Sequence, residues 1–434
     1  MAIARVCIRH SLRFEAVNLV GALFGRRHDA IRASEVDAFE REFADHVGAR
    51  HCVAFPFARS AVHFALKSQG FSAGAEVIMP PITIRPMLDA VRSLGLVPVF
   101  VDLDPSSLIF DAAALREATT SRTAAVLITY LFGRAVDPSP LLEHCSAEGI
   151  FVIEDFSQAL GASVRGRSLG TFGDVGVYSS SLTKTLDTYG GGLAVTDDDR
   201  LHDRLRVSQQ GLVAPPRRRL VKKIGRSLVF NLAFRRVPWT IAFPLLRLLR
   251  RMVPASEERL TRDRVRDATD SSRENGLPQL HAAAFECFTT RQARVGLRQL
   301  PALPARDVTR RANAEHLRTV FAYLGVRTPS GSPGGVDAAW QTVVFVPDAI
   351  QVQRALGRRG VDSGTTNLAF LAGEADPERG AACPEARTVS EAALCIPSHE
   401  RLNARGLGKV ANALMSAVGR ESSHVDVDVP RSGV

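Results

Sequence analysis

Two residue types that can act together on one small molecule, a carboxylate and a lysine, follow two apolar runs of the chain. Asp155 ends the segment Val152-Ile-Glu-Asp155, and Lys184 follows the hydroxyl-rich segment from Ser179 to Thr183 and precedes three glycines, Gly190–Gly192. Ligands of open α/β sheets bind at the C-terminal ends of strands. A lysine in a desolvated pocket has the lowered pKa that lets its amine form a Schiff base. The pattern predicts a buried carboxylate beside a reactive amine.

Taken alone, each of these residues also fits a structural role. Asp155 could cap the next helix, and a single lysine before glycines is usually a surface residue. A buried carboxylate needs a partner, and a protonated ring nitrogen is one candidate. Asp155 about thirty residues before Lys184, with Ser179 five residues before it, favours a shared site.

A second group of residues could bind a phosphate. The segment from Cys52 to His63 reads as a strand, a loop of small residues and a helix start around Ala58-Arg59-Ser60. Free backbone N–H groups and the helix dipole make such a start an anion cradle, although it could also be a plain helix cap. The turn Pro80–Pro86, with Ile84 and Arg85, is predicted to face the same edge.

The elements that must position these residues alternate between strands and helices. Short apolar runs separated by helical patterns are typical of βαβ units, which predicts an α/β fold with a mostly parallel sheet. The predicted strands are His51–Phe55, Glu76–Met79, Val97–Val101, Ala124–Thr129, Ile150–Glu154, Val175–Ser179 and Leu193–Thr196.

The domain organisation is predicted from the same pattern. Residues 1–50 form an N-terminal helical arm, and residues 51–300 form a large domain that carries a basic amphipathic insert at about 215–270. Residues 301–420 form a smaller α+β domain, and residues 421–434 form a flexible tail.

Composition excludes several classes of protein. The chain has 434 residues, of which 45% are hydrophobic and 23% charged, so it is neither disordered nor collagen-like. Its six cysteines are widely spaced without a metal-binding pattern, which predicts reduced thiols, a cytoplasmic protein and no metal site. The N-terminus lacks the apolar core of a signal peptide.

The positive charge is concentrated in one segment. The whole chain carries a net charge of +10, whereas residues 217–266 hold 15 basic and 3 acidic residues, a net of +12. Two basic amphipathic helices are predicted there. Their apolar faces could cover the protein's own core or a partner, dock on the inner surface of a membrane as a peripheral contact, or help to capture an anionic substrate. No nucleic-acid-binding motif accompanies the charge, so nucleic acid is not an expected partner.

Three motifs together resemble the DegT/DnrJ/EryC1/StrS family of pyridoxal-phosphate sugar aminotransferases. The family pattern G-D-x-G-x-x-S-x-x-x-T-K is matched by Gly173–Lys184, and E-D-x-x-Q is matched by Glu154–Gln158. Gln292–Leu300 resembles the family's Q-A-A-x-G-x-x-Q-L helix. The resemblance covers about residues 35–210 and 285–418. It implies fold type I, with a seven-stranded, mostly parallel large domain and a smaller α+β C-terminal domain.

The resemblance also implies roles for individual residues. Lys184 is the catalytic residue to which pyridoxal 5'-phosphate attaches, Asp155 pairs with the pyridine nitrogen, and Gln158 touches the ring's phenolic oxygen. Ser179 and the backbone around Ala58, Arg59 and Ser60 hold the phosphate. Three further residues are candidates for substrate contacts: Arg85, Tyr130 and Tyr189.

The chain departs from the family pattern at four places near the site. Ala58-Arg59 replaces a usual Gly-Thr pair, and Ile84 replaces an aromatic residue that stacks on the pyridine ring. Tyr130 stands where a histidine is common, and Phe285 where an asparagine that reaches the neighbouring subunit's cofactor is expected. The substrate pocket therefore differs from that of other members.

The expected function is transfer of an amino group from glutamate to a keto group, on a nucleotide-linked keto-sugar used in polysaccharide biosynthesis, by a homodimer. Two alternatives remain open from the sequence. One is a dehydratase or condensing enzyme that uses the same cofactor. The other is a catalytically drifted, cofactor-binding protein with a membrane-surface or regulatory role. Lys184 argues against the dehydrating relatives, because they replace this lysine with histidine. Lys184 together with Asp155 argues against a protein that has lost turnover.

Overall fold

A computed structural model describes residues 1–24, 33–252, 273–274, 277–365, 368–372 and 382–418 of the chain. The predicted tail, residues 421–434, lies outside the described residues. Positions 253–270 of the predicted basic insert lie outside them as well.

The strands alternate with the helices over most of the described chain. The strands are β1 (His51–Phe55), β2 (Glu76–Met79), β3 (Ile82–Thr83), β4 (Val97–Phe100), β5 (Thr123–Thr129), β6 (Phe151–Asp155), β7 (Ser163–Val164), β8 (Arg167–Ser168), β9 (Val175–Ser179), β10 (Gly192–Thr196), β11 (Arg273–Glu274), β12 (Leu277–Pro278), β13 (Gly335–Val336), β14 (Thr342–Phe345), β15 (Gly364–Thr365), β16 (Ala369–Phe370) and β17 (Ala393–Ile396). The helices are α1 (Leu12–Phe24), α2 (Ala33–Val47), α3 (Ala58–Ser68), α4 (Arg85–Arg92), α5 (Ala112–Ala118), α6 (Ser139–Ala147), α7 (Asp199–Gln210), α8 (Arg217–Ala233), α9 (Arg236–Met252), α10 (Thr290–Gln299), α11 (Leu303–Tyr323), α12 (Ala349–Arg358), α13 (Pro384–Ala392) and α14 (Ala404–Ala417).

A seven-stranded sheet forms the centre of the fold, in the order β1-β10-β9-β6-β5-β2-β4. Strands β9, β6, β5, β2 and β4 are parallel to one another, and β10 is antiparallel to both of its neighbours. The predicted α/β fold with a mostly parallel seven-stranded sheet is therefore confirmed. Because parallel strands end at one edge, Thr129, Asp155 and Ser179 lie at the same C-terminal edge.

Alternate residues of the central strands are buried in two hydrophobic cores, one on each face of the sheet. In β5, Val126 and Ile128 belong to a core that α2, α5 and α6 cover, whereas Ala125 and Leu127 belong to a core that α3, α4 and α7 cover. A strand with both faces buried reads as a continuous apolar run. This is why the sequence pattern located the strands closely.

A second, three-stranded antiparallel sheet, in the order β14-β17-β15, lies in the C-terminal part of the chain. Helices α11, α12 and α14 bury Leu317, Leu356 and Val410 against it. Helix α11 also contributes Leu303 to the core of the large sheet, so this helix joins the two cores. The division into domains at residue 300 remains a proposal.

The first residues of the chain pair with the segment that precedes β15, whereas α1 packs on the basic insert. Ile3 forms a β-bridge with Val361. In α1, the buried carboxylate of Glu15 accepts hydrogen bonds from Ser227 and Asn231 of α8. One face of α8 therefore covers the protein's own surface. Among the described helices, none is both long and apolar enough to cross a membrane.

Candidate active site

A cavity of about 230 Å³ lies at the C-terminal edge of the central sheet. Five of the predicted site residues line this cavity: Ile84, Asp155, Gln158, Ser179 and Lys184. Asp155 and Ser179 are the last residues of β6 and β9, which are neighbours in the sheet. The order of the strands therefore brings together residues that are far apart in the sequence.

Asp155 presents a buried carboxylate to the cavity. The residue is 7% exposed, and its Oδ1 accepts a hydrogen bond from the Ser157 backbone N–H at 2.9 Å. Burial raises the pKa of Asp155, whereas the Ser157 hydrogen bonds and the nearby charge of Lys184 oppose that rise. A buried carboxylate in this setting is stabilised by a cationic partner.

Lys184 presents a buried amine to the same cavity. Burial lowers the pKa of Lys184 to about 8, and the charge of Asp155 acts in the opposite direction. Its Nζ lies 3.9 Å from the centre of the Trp340 ring. At neutral pH the amine is therefore far more often unprotonated than that of a surface lysine, as a nucleophile must be.

The loop that carries Lys184 is fixed on both sides. Thr183 has a φ of 80°, which is uncommon for a residue with a branched side chain. The Trp340 indole N–H donates to the Thr183 carbonyl oxygen at 3.2 Å, and Arg9 donates to the Lys184 carbonyl oxygen at 2.9 Å. These long-range hydrogen bonds hold the amine at the cavity.

Gln158 and Ser179 add polar groups to the cavity wall. The Gln158 Oε1 accepts a hydrogen bond from the Phe132 backbone N–H at 2.8 Å, which leaves its NH₂ group to donate. The Ser179 backbone N–H donates to the Ser157 hydroxyl at 2.9 Å. The hydroxyls of Ser179 and Ser181 remain part of the cavity lining.

The predicted phosphate cradle, Ala58-Arg59-Ser60, is not among the described residues that line the cavity. It forms the first turn of α3, whose N-cap residue Phe57 provides no side-chain cap. Gly192, which pairs with Ser179 in the sheet, lies directly against the backbone of Phe57 and Ala58. The helix start is therefore one strand away from Ser179.

The side chains of this helix start have partners of their own. The Ser60 hydroxyl donates to the Ala284 carbonyl oxygen at 2.8 Å. The Arg59 guanidinium lies 3.8 Å from the centre of the Phe57 ring, and burial lowers its pKa to about 10. Within the described residues, no hydrogen-bond partner is present for the buried Arg59 Nε.

The basic insert brings another cation to this place. The Lys223 Nζ of α8 lies 5.1 Å from the centre of the Phe57 ring, and burial lowers its pKa to about 8. Arg59 and Lys223 therefore lie at the same aromatic ring, and the charges of Arg219 and Arg59 lower the pKa of Lys223 further. No sequence motif connects Lys223 with the phosphate cradle.

The structure does not bring the three candidate substrate residues into the cavity. Tyr130 is fully buried and does not line the cavity, and its hydroxyl donates to the carboxylate of Glu154. Tyr189 is turned towards α1, where its hydroxyl accepts from the Asn18 amide at 3.4 Å. Arg85 begins α4 and lies close to Asp89; burial raises the pKa of Asp89, and the charge of Arg85 opposes that rise.

Several residues that line the cavity were not predicted from the sequence. They come from the N-terminal segment and the C-terminal part of the chain: Arg5, Trp340, Gln341, Thr365 and Cys395. None of them belongs to one of the recognised motifs. No local pattern could have identified them, because only tertiary contacts place them near Lys184.

Pyridoxal phosphate, the cofactor that the sequence resemblance implies, fits the residues present. The cofactor has a basic ring nitrogen, an aldehyde and a phosphate. The cavity offers a buried carboxylate at Asp155, an amine of lowered pKa at Lys184, and the hydroxyls of Ser179 and Ser181. Across the part of the chain that the structure describes, no cluster of residues could hold a metal ion.

Known proteins share both the sequence and the fold. GDP-perosamine synthase of Caulobacter vibrioides is 37% identical over 180 residues, which is 42% of this chain and 48% of that protein. The spore coat polysaccharide biosynthesis protein SpsC of Bacillus subtilis is 37% identical over 176 residues, 41% of this chain and 45% of that protein. The chain thus spans about half the length of these curated relatives.

A solved structure agrees over a larger part of the chain. S. venezuelae DesV, in complex with a ketimine intermediate, superposes with a TM-score of 0.71 at 23% identity, covering 96% of this chain and 100% of that one. The family model of the DegT/DnrJ/EryC1/StrS aminotransferases matches residues 25–238 and 286–415. On these matches, the chain belongs to the DegT/DnrJ/EryC1/StrS aminotransferase family.

Proposed function

We propose that the protein is a pyridoxal-phosphate-dependent aminotransferase that moves an amino group from glutamate to a keto group of a nucleotide-linked keto-sugar. One observation carries the proposal: Asp155 and Lys184 line one buried cavity at the C-terminal edge of the sheet. Membership of an aminotransferase family supports the same chemistry.

Each residue has a physical reason for its proposed role. When bound, the cofactor supplies an electron-withdrawing ring that stabilises negative charge at the carbon next to the transferred amine. The Asp155 carboxylate would keep a proton on the ring nitrogen. Lys184 would take a proton from the substrate carbon and return it, a type of help worth about 10²–10⁴ in rate.

The acceptor is proposed from the relatives. Two of them are named for GDP-perosamine synthesis and for spore coat polysaccharide biosynthesis. Sugar substrates activated with a nucleotide are consistent with these names, and a role in polysaccharide biosynthesis follows as part of the proposal.

Product analysis tests the proposed reaction. The loaded enzyme is incubated with L-glutamate and a panel of keto-sugar nucleotides, and both 2-oxoglutarate and the amino sugar are measured by mass spectrometry. We expect both products in equal amounts, and none with Lys184→Ala. Lys67→Ala, which removes an exposed lysine of α3, serves as the matched control. A dehydrated sugar, or no 2-oxoglutarate with any acceptor, would refute the proposal.

We also propose that the enzyme is a homodimer. Several apolar side chains of α1 are exposed in the single chain, among them Val17 at 63% and Phe24 at 81%. Burial of such side chains in an interface would stabilise an assembly. Light scattering during size-exclusion chromatography should give twice the mass of 47.0 kDa, and a monomer mass would exclude the dimer.

The third part of the proposal concerns location: the protein is cytoplasmic, and residues 217–266 make a peripheral contact with a membrane. Helix α9 exposes Val237, Ile241 and Leu245, and α8 carries five Lys or Arg residues in its first seven positions. All six cysteines are free, which is consistent with a reducing compartment. Sedimentation with anionic vesicles should be lost on Ile241→Asp, whereas Val308→Asp, at another exposed valine outside the insert, in α11, should keep it. Equal sedimentation of the two variants would exclude this contact.

A further inference from the structure

Arg5 brings a guanidinium group from the N-terminal segment to the cavity that holds Lys184 and Asp155. The family match begins at residue 25, so Arg5 lies outside it. The backbone is well fixed here, since the Arg5 N–H donates to the Asp362 carboxylate at 3.1 Å. Ile3 forms two more backbone hydrogen bonds, with Gly360 and Asp362, both at 2.8 Å.

The side chain of Arg5 reaches the cavity across a glycine. Gly364 lies on β15, and a methyl group on its Cα would overlap the Arg5 guanidinium. The absence of a side chain at position 364 therefore lets the guanidinium approach the strand closely. This close approach fixes where the charge of Arg5 is held.

The charge of Arg5 has no counterpart within the described lining of the cavity. That lining contains two cations, Arg5 and Lys184, and one carboxylate, Asp155. The Arg5 Nε is buried and has no hydrogen-bond partner among the described residues. Arg5 itself is half-buried. Because a guanidinium carries a positive charge, one whose Nε is buried without a partner favours an anionic ligand.

We propose that Arg5 binds the α-carboxylate of the amino-acid donor, an inference that rests on the proposed function. The α-carboxylate is attached to the carbon whose amine is transferred, so it must enter the same compact cavity as Lys184. A guanidinium pairs with a carboxylate through two parallel N–H···O bonds, which also fixes orientation. In a sugar nucleotide, the sugar ring separates the phosphates from the keto carbon that reacts. The phosphates therefore need no positively charged residue beside Lys184.

The pairing would make Arg5 a residue that decides which amine donors are accepted. An amine without an α-carboxylate would leave the guanidinium unpaired and would bind weakly. An α-amino acid supplies a carboxylate that can pair with this guanidinium. Arg5 touches the donor in this arrangement and takes no part in moving the proton.

Variants of two positions test the inference. Arg5→Gln removes the positive charge. Arg5→Lys keeps the charge but cannot form the two parallel hydrogen bonds of a guanidinium. Gly364→Ala displaces the guanidinium while Arg5 itself is retained. Arg13→Gln, at an exposed position of α1, is the matched control. Kinetics are measured with L-glutamate and with 4-aminobutyrate, and calorimetry measures 2-oxoglutarate binding to the aminated cofactor form of the enzyme.

We expect Arg5→Gln to raise KM for L-glutamate and Kd for 2-oxoglutarate by about 10- to 100-fold, the range for a hydrogen-bonded charge. Gly364→Ala should act in the same direction, Arg5→Lys should be intermediate, and Arg13→Gln should match the wild type. KM for 4-aminobutyrate should not change, because that donor has no α-carboxylate; a merely structural role of Arg5 would raise it equally.

Two results would overturn the inference: an unchanged KM for L-glutamate in Arg5→Gln, or a change confined to the sugar nucleotide. If the wild type transfers no amine from any donor, the proposed function fails instead. The calorimetric comparison with 2-oxoglutarate then decides on Arg5 by itself, and equal Kd values for wild type and Arg5→Gln would refute it.

Discussion

The protonation of Lys184 should control how fast the protein takes up its cofactor. Burial lowers the pKa of this lysine from 10.5 to about 8. At pH 7 about 10% of the amines are then neutral, compared with about 0.03% for an ordinary lysine, a gain of about 300-fold. Because the neutral amine attacks the aldehyde, uptake should become faster as the pH rises and should level off above pH 8.

Stopped-flow absorbance can follow the attachment of pyridoxal phosphate to the cofactor-free protein across this pH range. The rate with a free lysine derivative, measured in parallel, corrects for the titration of the cofactor itself. Asp155→Asn should move the midpoint to lower pH, since the charge of Asp155 raises the pKa of Lys184. Asp155→Glu keeps the charge and is the matched control.

If the corrected midpoint of the pH dependence lay near 10.5, the value of an exposed lysine, it would refute the statement that burial lowers the pKa of Lys184. The reasoning would also fail if Asp155→Asn left the midpoint where it is in the wild type. Attachment that survives in Lys184→Ala would show that another amine forms the bond.

Three further predictions concern stability in the cofactor-free protein, each measured by urea denaturation. Lys184→Met should raise the free energy of unfolding by up to about 3 kcal/mol at pH 7, because a lysine whose pKa is lowered by folding destabilises the folded state while it is protonated. This gain should disappear as the pH rises from about 8 to 10.5, where the lysine of the wild type loses its proton. Glu400→Gln should lower it by up to about 3 kcal/mol at pH 7. The cause is the Arg9 ion pair, which overcomes burial and lowers the pKa of Glu400 from 4.5 to about 2, so the wild type should lose this advantage as the pH falls between those values. Tyr130→Phe should lower the free energy of unfolding by about 1–3 kcal/mol, because it removes a hydrogen bond from the buried carboxylate of Glu154. The same variant should leave KM for both substrates unchanged, and a raised KM would show that Tyr130 contacts a substrate.

The central sheet could be predicted because its signal is local. A strand that is buried on both faces is apolar at nearly every position, as Val175–Ser179 illustrates, and this segment was predicted with the bounds that the structure shows. Asp155 could be predicted at the edge because it follows such a run. Parallel strands end together, so the ends of β6 and β9 had to be near each other.

The conformations of side chains beyond the strand ends could not be predicted in this way. Tyr130 directly follows β5, much as Asp155 ends β6. The Tyr130 side chain nevertheless bonds to Glu154 and does not line the cavity. Tyr189, in the glycine-rich turn, faces α1 instead of the cavity. Which face a loop residue presents depends on neighbours from other elements, and the sequence around the residue does not contain them.

The amino-acid sequence by itself determined the strands and the edge at which they end. Both features follow from apolar periodicity and strand direction, which are properties of short segments. Only the tertiary structure decided that Arg5 and Trp340 line the cavity and that Lys223 of the basic insert lies beside α3. These contacts join segments that are far apart in the sequence, and the surfaces that make the contacts exist only once the chain has folded.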